Sequence, residues 1–177
     1  VTAEVTPQHL ILTDEALRTF ETRYKVNPPI RSEEHRAACV AGLQDGTIDA
    51  VVTDHAPHEW EEKDQEFNLA PSGFVGLETS VGAMLTYMYH TGHIDLMTLV
   101  NAMSTAQAEI LGLDAGVIAP GKDADLTVLD LDKEWTVDSS KFYSKGKASP
   151  FDEMIFKGKA AATIVNGKIV MKNGEVL

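Results

Sequence analysis

The densest group of ionisable side chains in the sequence is Asp54-His55-Ala56-Pro57-His58, directly after the apolar, β-branched run Ile48-Asp49-Ala50-Val51-Val52-Thr53. In parallel α/β folds reactive groups gather at the C-terminal ends of strands, because the strand is rigid and the loop after it is free to vary. A carboxylate at such a point can ligate a metal or act as a general base. It can equally cap its own turn through the backbone and leave the histidines to decorate a loop. His55 and His58, three apart, could share a metal only on a turn of helix, and Pro57 argues against one. Thiol chemistry is excluded as a framework. Cys39 is the single cysteine, so neither an internal disulfide nor a thiolate zinc cage can form, and its setting among Ala37, Ala38, Val40 and Ala41 reads as a small buried hydrophobe.

The elements that must position this cluster can be read on either side of it. Val1–Val5 is a short β-branched run ended by Thr6-Pro7, and Ile48–Thr53 has the character of a strand buried on both faces, so the two are expected as parallel neighbours. Between them, Thr13-Asp14-Glu15 opens a short helix, and Asn27-Pro28-Pro29 excludes regular structure. Ser32-Glu33-Glu34 then caps a helix with Ala37, Val40 and Ala41 on one face, stopping at Gly42 or Gly46. From Asp54 to Gly76 there is no periodicity. A loop of that length is uncommon in a compact domain and is often functional. Its acids, Glu59, Glu61, Glu62, Asp64 and Glu66, repel one another, and only Trp60, Phe67 and Leu69 are apolar anchors, so the loop is expected to be mobile without ligand. Leu77, Val81, Met84, Leu85 and Met88 recur at helical spacing, Asp95 starts another helix, and Ser104-x-x-Gln107 forms a capping box for one that ends at Gly112. Beyond it the signal turns to β. Asn166-Gly167 and Asn173-Gly174 sit between β-branched runs, a strong hairpin signature, in a tail of about 65 residues.

Composition removes several function classes. The chain has 177 residues, too few for a whole (β/α)₈ barrel of about 250. Fifteen Lys and Arg against 27 Asp and Glu give a net charge of −12, which repels a phosphate backbone or an anionic bilayer, so neither nucleic acid nor membrane is expected as partner. No stretch reaches the ~18 consecutive apolar residues of a membrane helix, and with no secretory leader legible the expected location is the cytoplasm. The sequence opens on Val1 rather than Met, which reads as a piece of something longer.

Several motifs occur in order: Val1-Thr-Ala-Glu-Val-Thr-Pro-Gln-His-Leu10, Lys25-Val-Asn-Pro-Pro-Ile-Arg31, Thr53-Asp-His-Ala-Pro-His58, Gly73-Phe-Val-Gly-Leu-Glu-Thr79, Pro120-Gly-Lys-Asp-Ala-Asp125 and Ser144-Lys-Gly-Lys-Ala-Ser-Pro-Phe151. Together they resemble the C-terminal portion of the dihydroorotases, in the amidohydrolase superfamily. The resemblance implies an α/β fold: the last part of a (β/α)₈ barrel of the TIM type over 1–113, and a small C-terminal β-rich domain over 114–177. It implies a zinc-dependent enzyme that reversibly hydrolyses the cyclic amide of dihydroorotate to N-carbamoyl-aspartate in pyrimidine biosynthesis. By the same resemblance Asp54 is a zinc ligand and the proton shuttle, Asn27 contacts substrate, His58 holds the substrate carboxylate, and Ser72 and Gly73 offer backbone groups to the ring.

Two departures qualify it. Gln8 stands where the family usually shows a histidine, with His9 retained, and no His-x-His occurs, so the remaining zinc ligands are expected upstream of Val1. A lone carboxylate cannot satisfy an ion that takes four ligands, and the piece alone is expected to be inactive. Its expected associations are with dihydroorotate as small-molecule substrate and with a second copy or the missing N-terminal part. Two other readings share the superfamily. One is an inactive scaffold subunit, with aspartate transcarbamoylase as partner; the other is an allantoinase or hydantoinase acting on a different cyclic amide. His58 speaks against the last, since it is a carboxylate-bearing substrate that calls for a cationic donor there.

Overall fold

Val5 and Val51 lie opposite each other in two short parallel strands, β1 (Glu4–Val5) and β2 (Ala50–Val51), with Glu4 opposite Ala50. The computed structural model describes all residues, Val1–Leu177. Flanking bonds from the Asp49 amide to the Ala3 carbonyl and from the Val52 amide to the Val5 carbonyl, both 2.9 Å, extend the pairing past the strand ends. The parallel neighbours expected from the sequence are therefore present, though each strand is shorter than its apolar run.

The crossover between them holds α1 (Pro7–Ile11), which begins on a proline that gives up no needed donor, two 3₁₀ turns at Asp14–Thr19 and Thr22–Tyr24, and α2 (Glu33–Asp45). Helix α2 runs past Gly42 and stops at Gly46, whose φ of 81° is the left-handed conformation that ends helices. Two local expectations need correction. The Ser32 hydroxyl bonds Nδ1 of His35 at 2.8 Å instead of an orphan amide, so it does not cap the helix. The buried face is Val40 and Leu43, while Ala37 and Ala41 are exposed, because Leu43 covers far more apolar area against β1 and β2 than either alanine can.

After β2 a long loop contains only α3 (Trp60–Lys63). Then α4 (Ser80–Met84) passes without a break into a π-helical turn at Leu85–Tyr89, and α5 (Leu96–Val100), with Asp95 accepting the Thr98 amide at 2.7 Å, continues through a second π turn at Asn101–Thr105 into α6 (Ala106–Leu111). Ser104 thus lies inside a continuous helix, and the capping-box reading fails. Its partner Gln107 donates instead to the carbonyls of Val51 and Ala102, satisfying an acceptor of β2 that the two-stranded sheet leaves open. Leu77, expected on the buried stripe, precedes α4 and is exposed; Met84, Leu85 and Met88 are fully buried against Val5, Leu10 and Val51.

The tail is an antiparallel meander of β3 (Leu126–Thr136), β4 (Ile155–Val165), β5 (Lys168–Lys172) and β6 (Glu175–Val176). Both Asn-Gly pairs close its hairpins with all four residues at positive φ, as their side chains permit. The sheet packs on α4 with no gap. A Cβ at Gly82 would meet Phe156 at 2.7 Å and Trp135 at 2.8 Å, and one at Gly158, where φ is 103°, would meet Leu85 at 2.6 Å. The Thr86 hydroxyl accepts the Lys157 amide at 2.8 Å and donates to the Gly82 carbonyl at 2.6 Å, which ties helix to strand. No helix is long and apolar enough to cross a membrane.

Candidate active site

Asp54 leaves the C-terminal end of β2 in the left-handed conformation, φ 50°, with its carboxylate exposed. Strain of that kind on a non-glycine residue is sparse in proteins and concentrates at functional positions. His55 has a different task. It bridges in parallel to Phe74, and its Nδ1 accepts the Gly76 amide at 3.1 Å, so that nitrogen is committed to holding the returning chain and is closed to a metal. The Ala56 amide donates to the Phe74 carbonyl at 3.0 Å, which completes the seam between the two ends of the loop.

That seam brings His58 against Ser72 and Gly73. The His58 Nε2 lies 3.0 Å from the Ser72 carbonyl and its Nδ1 3.2 Å from the Glu62 carboxylate. Both ring nitrogens face acceptors, so both bonds form only when each nitrogen carries a proton. Gly73, at φ 125°, is the residue that lets the chain approach, because a Cβ there would sit 2.7 Å from that of Ala56 and 3.1 Å from His58 Nε2. Its amide donates to the Lys25 carbonyl at 2.9 Å.

Asn27 is exposed in a turn braced by His9, whose Nε2 donates to the Pro28 carbonyl at 2.9 Å while its Nδ1 accepts from the Thr6 hydroxyl at 2.7 Å. Asn27 and Ser72 line one shallow cavity of about 270 Å³ with Tyr24, Lys25 and Phe67; His58 lines another of about 210 Å³ with Trp60, Lys63, Lys145 and Lys147. Of the five residues singled out from the sequence, His58, Ser72 and Gly73 are in contact and Asn27 shares a wall with Ser72. Asp54 stands on the same loop, four residues before His58, without a hydrogen bond to any of them.

Two lysines escaped the sequence reading. Of the three apolar anchors only Phe67 is half-buried, its ring edge-on to Phe20 with centroids 5.8 Å apart, while Trp60 and Leu69 are 68% and 66% exposed. Lys25 Nζ donates to the carbonyls of Phe67, Asn68 and Ala70 at 2.7, 3.1 and 2.6 Å, and the buried Lys63 Nζ to those of Pro71 and Gly73 at 3.0 and 2.9 Å. Burial first, and then the charge of Lys25, lower the Lys63 ammonium to about 8. The only available signal was that Lys63 is the one cation in an acidic run. A metal ion, by contrast, finds too few donors here: no three His, Cys, Asp or Glu side chains converge, and Asp54 by itself does not meet the fourfold demand of zinc.

Residues 4–170 match the amidohydrolase family. The chain is 49% identical over 173 residues to a dihydroorotase of Pelotomaculum thermopropionicum, covering 98% of this chain and 40% of that protein. To the dihydroorotase of Bacillus subtilis it is 46% identical over 177 residues, 100% of this chain and 41% of the relative. Among solved structures, L-hydantoinase (dihydropyrimidinase) from Arthrobacter aurescens superposes with a TM-score of 0.95 at 38% identity, over 100% of this chain and 40% of the other. D-hydantoinase from Thermus sp. does so with 0.90 at 29%, over 99% and 40%. The chain thus spans about two fifths of the length of the relatives it matches.

Proposed function

Because the chain belongs to the amidohydrolase family, we propose that it forms the later part of a dihydroorotase, with residues 1–113 completing a (β/α)₈ barrel and 114–177 flanking it. In this reading water attacks the amide carbon of dihydroorotate, the ring C–N bond breaks, and Asp54 carries the water's proton to the departing nitrogen. A carboxylate poised at a strand end suits such a shuttle, worth about 10²–10⁴ in rate. Asp54 also serves as one zinc ligand, the others coming from outside these 177 residues. This chain's own donors do not suffice for the ion.

The observation that carries the reading is His58. With acceptors on both ring nitrogens it is oriented as a hydrogen-bond donor, and a carboxylate on the substrate would replace the Glu62 carboxylate at Nδ1. Asn27 and the Ser72–Gly73 backbone lie beside it to receive the ring. Three of the four main-chain groups of Ser72 and Gly73 are already engaged, by His58, Lys63 and Lys25, which leaves the Ser72 amide as the free donor.

A second reading, hydrolysis of a hydantoin, is favoured by the structural likeness to L-hydantoinase at a TM-score of 0.95. The two differ in the substrate carboxylate. In the complete hydrolase, His58→Ala is expected to raise KM for dihydroorotate roughly tenfold or more while metal content stays unchanged, as follows from losing a charged hydrogen bond. Turnover of hydantoin and none of dihydroorotate would select the second reading, and equal loss of zinc in His58→Ala and Asp54→Ala would remove His58 from substrate binding.

A further inference from the structure

The carbonyls of Pro71, Ser72 and Gly73 are held in alternation. Lys63 Nζ takes the first and third at 3.0 and 2.9 Å, and His58 Nε2 takes the second at 3.0 Å. Lys63 is only 3% exposed and forms no salt bridge, although Glu59, Glu61, Glu62, Asp64 and Glu66 all lie within four residues of it. Burying an ammonium without a carboxylate is costly, and a merely structural link between two carbonyls could be made by a neutral donor. Burial, and after it the charge of Lys25, lower the ammonium to about 8, so it still carries its charge at neutral pH. Such a group earns a role only if the segment it grips must be fixed closely.

We propose that Lys63 is a positioning residue, which sets the height and orientation of the Pro71–Gly73 backbone against His58 so that the Ser72 amide meets the substrate ring. The proposal rests on the dihydroorotase reading for its substrate and on the bond geometry for the grip itself. Lys25 serves the neighbouring stretch. Its amine holds the carbonyls at 67, 68 and 70 and its own carbonyl receives the Gly73 amide, so the two lysines divide the loop between them. Thr22 closes the arrangement by donating its hydroxyl to the Lys63 carbonyl at 2.5 Å.

The test compares Lys63→Met with Lys63→Gln, which keeps N–H donors without the charge, and reads amide exchange together with steady-state kinetics in the complete hydrolase. For Lys63→Met the Gly73 amide is expected to exchange at least about tenfold faster, KM for dihydroorotate to rise about tenfold, and kcat to stay within about twofold; Lys63→Gln falls between. A role in folding alone would lower kcat and the amount of active enzyme without a KM effect. Unchanged Gly73 exchange overturns the grip. Faster exchange with unchanged KM overturns the positioning role. If Lys63→Met does not fold, Lys63→Gln alone decides by the same two readouts. Absence of dihydroorotate turnover in the unsubstituted enzyme is a failure of the functional reading instead, and the exchange result still judges the grip.

Discussion

Asp54 opens the loop after β2 and Lys63 closes the short helix within it, and the two call for different measurements. Asp54 has an exposed carboxylate in a strained backbone conformation, so Asp54→Ala in the complete hydrolase is expected to lower kcat by about 10² or more, measured on dihydroorotate. The loss of stability with it should stay within about 1 kcal/mol, since the side chain supports no bond in the fold and only the left-handed backbone disfavours alanine. Lys63 couples stability to pH. Its folded value of about 8 lies below the ~10.4 of an unfolded lysine, so between the two the unfolded chain binds more protons and stability rises with pH. Below pH 8 the ammonium is charged in both states and the full penalty is present. The gain across the window is on the order of 3 kcal/mol. Urea midpoints of the wild-type chain at pH 7.5 and 10, referred to Lys63→Met, measure it; a parallel pair of curves would deny the buried charge.

At the scale of elements, the helix α4 and the strand β4 interlock through two glycines. Glycine in a helix ordinarily gives way to alanine with a gain of about 1 kcal/mol. Here the added methyl would lie 2.7 Å from Phe156, so Gly82→Ala is expected to destabilise by about 1–3 kcal/mol in thermal or denaturant unfolding. Neither glycine stands out in the sequence, because what makes each necessary is a ring or leucine some 70 residues away. The elements legible beforehand were those whose cause is local: the left-handed stops at Gly46 and Gly112, the Asp95 cap, the Asn-Gly hairpins and the paired β-branched runs. Those misread depend on distant partners. Ser104-x-x-Gln107 imitates a cap, but the Gln107 amide is drawn to a carbonyl of β2. The candidate site divides the same way. Asp54 and His58 were visible as a dense cluster after a strand, whereas Lys25 and Lys63 act through backbone carbonyls, which have no signature in residue type.

For the whole molecule, β1 and β2 make a sheet of only two strands, each with an unpaired edge, and Met97, Leu111 and Leu113 are 73%, 70% and 57% exposed. Open strand edges favour association, and exposed apolar side chains add to it. The 177-residue chain alone is expected to show a mass that rises with concentration in sedimentation or light scattering, against the repulsion of its −12 charge; a monomer at all concentrations would contradict this. The seam of Gly82, Gly158, Phe156 and Trp135 bears on heredity. A lineage that enlarges residue 82 must make room at both 156 and 135, or pass through an unstable intermediate. The helix that follows the loop of residues 54–76 and the C-terminal sheet therefore descend together, and recombination that exchanged the sheet for a foreign one would bring in side chains for which the helix has no room.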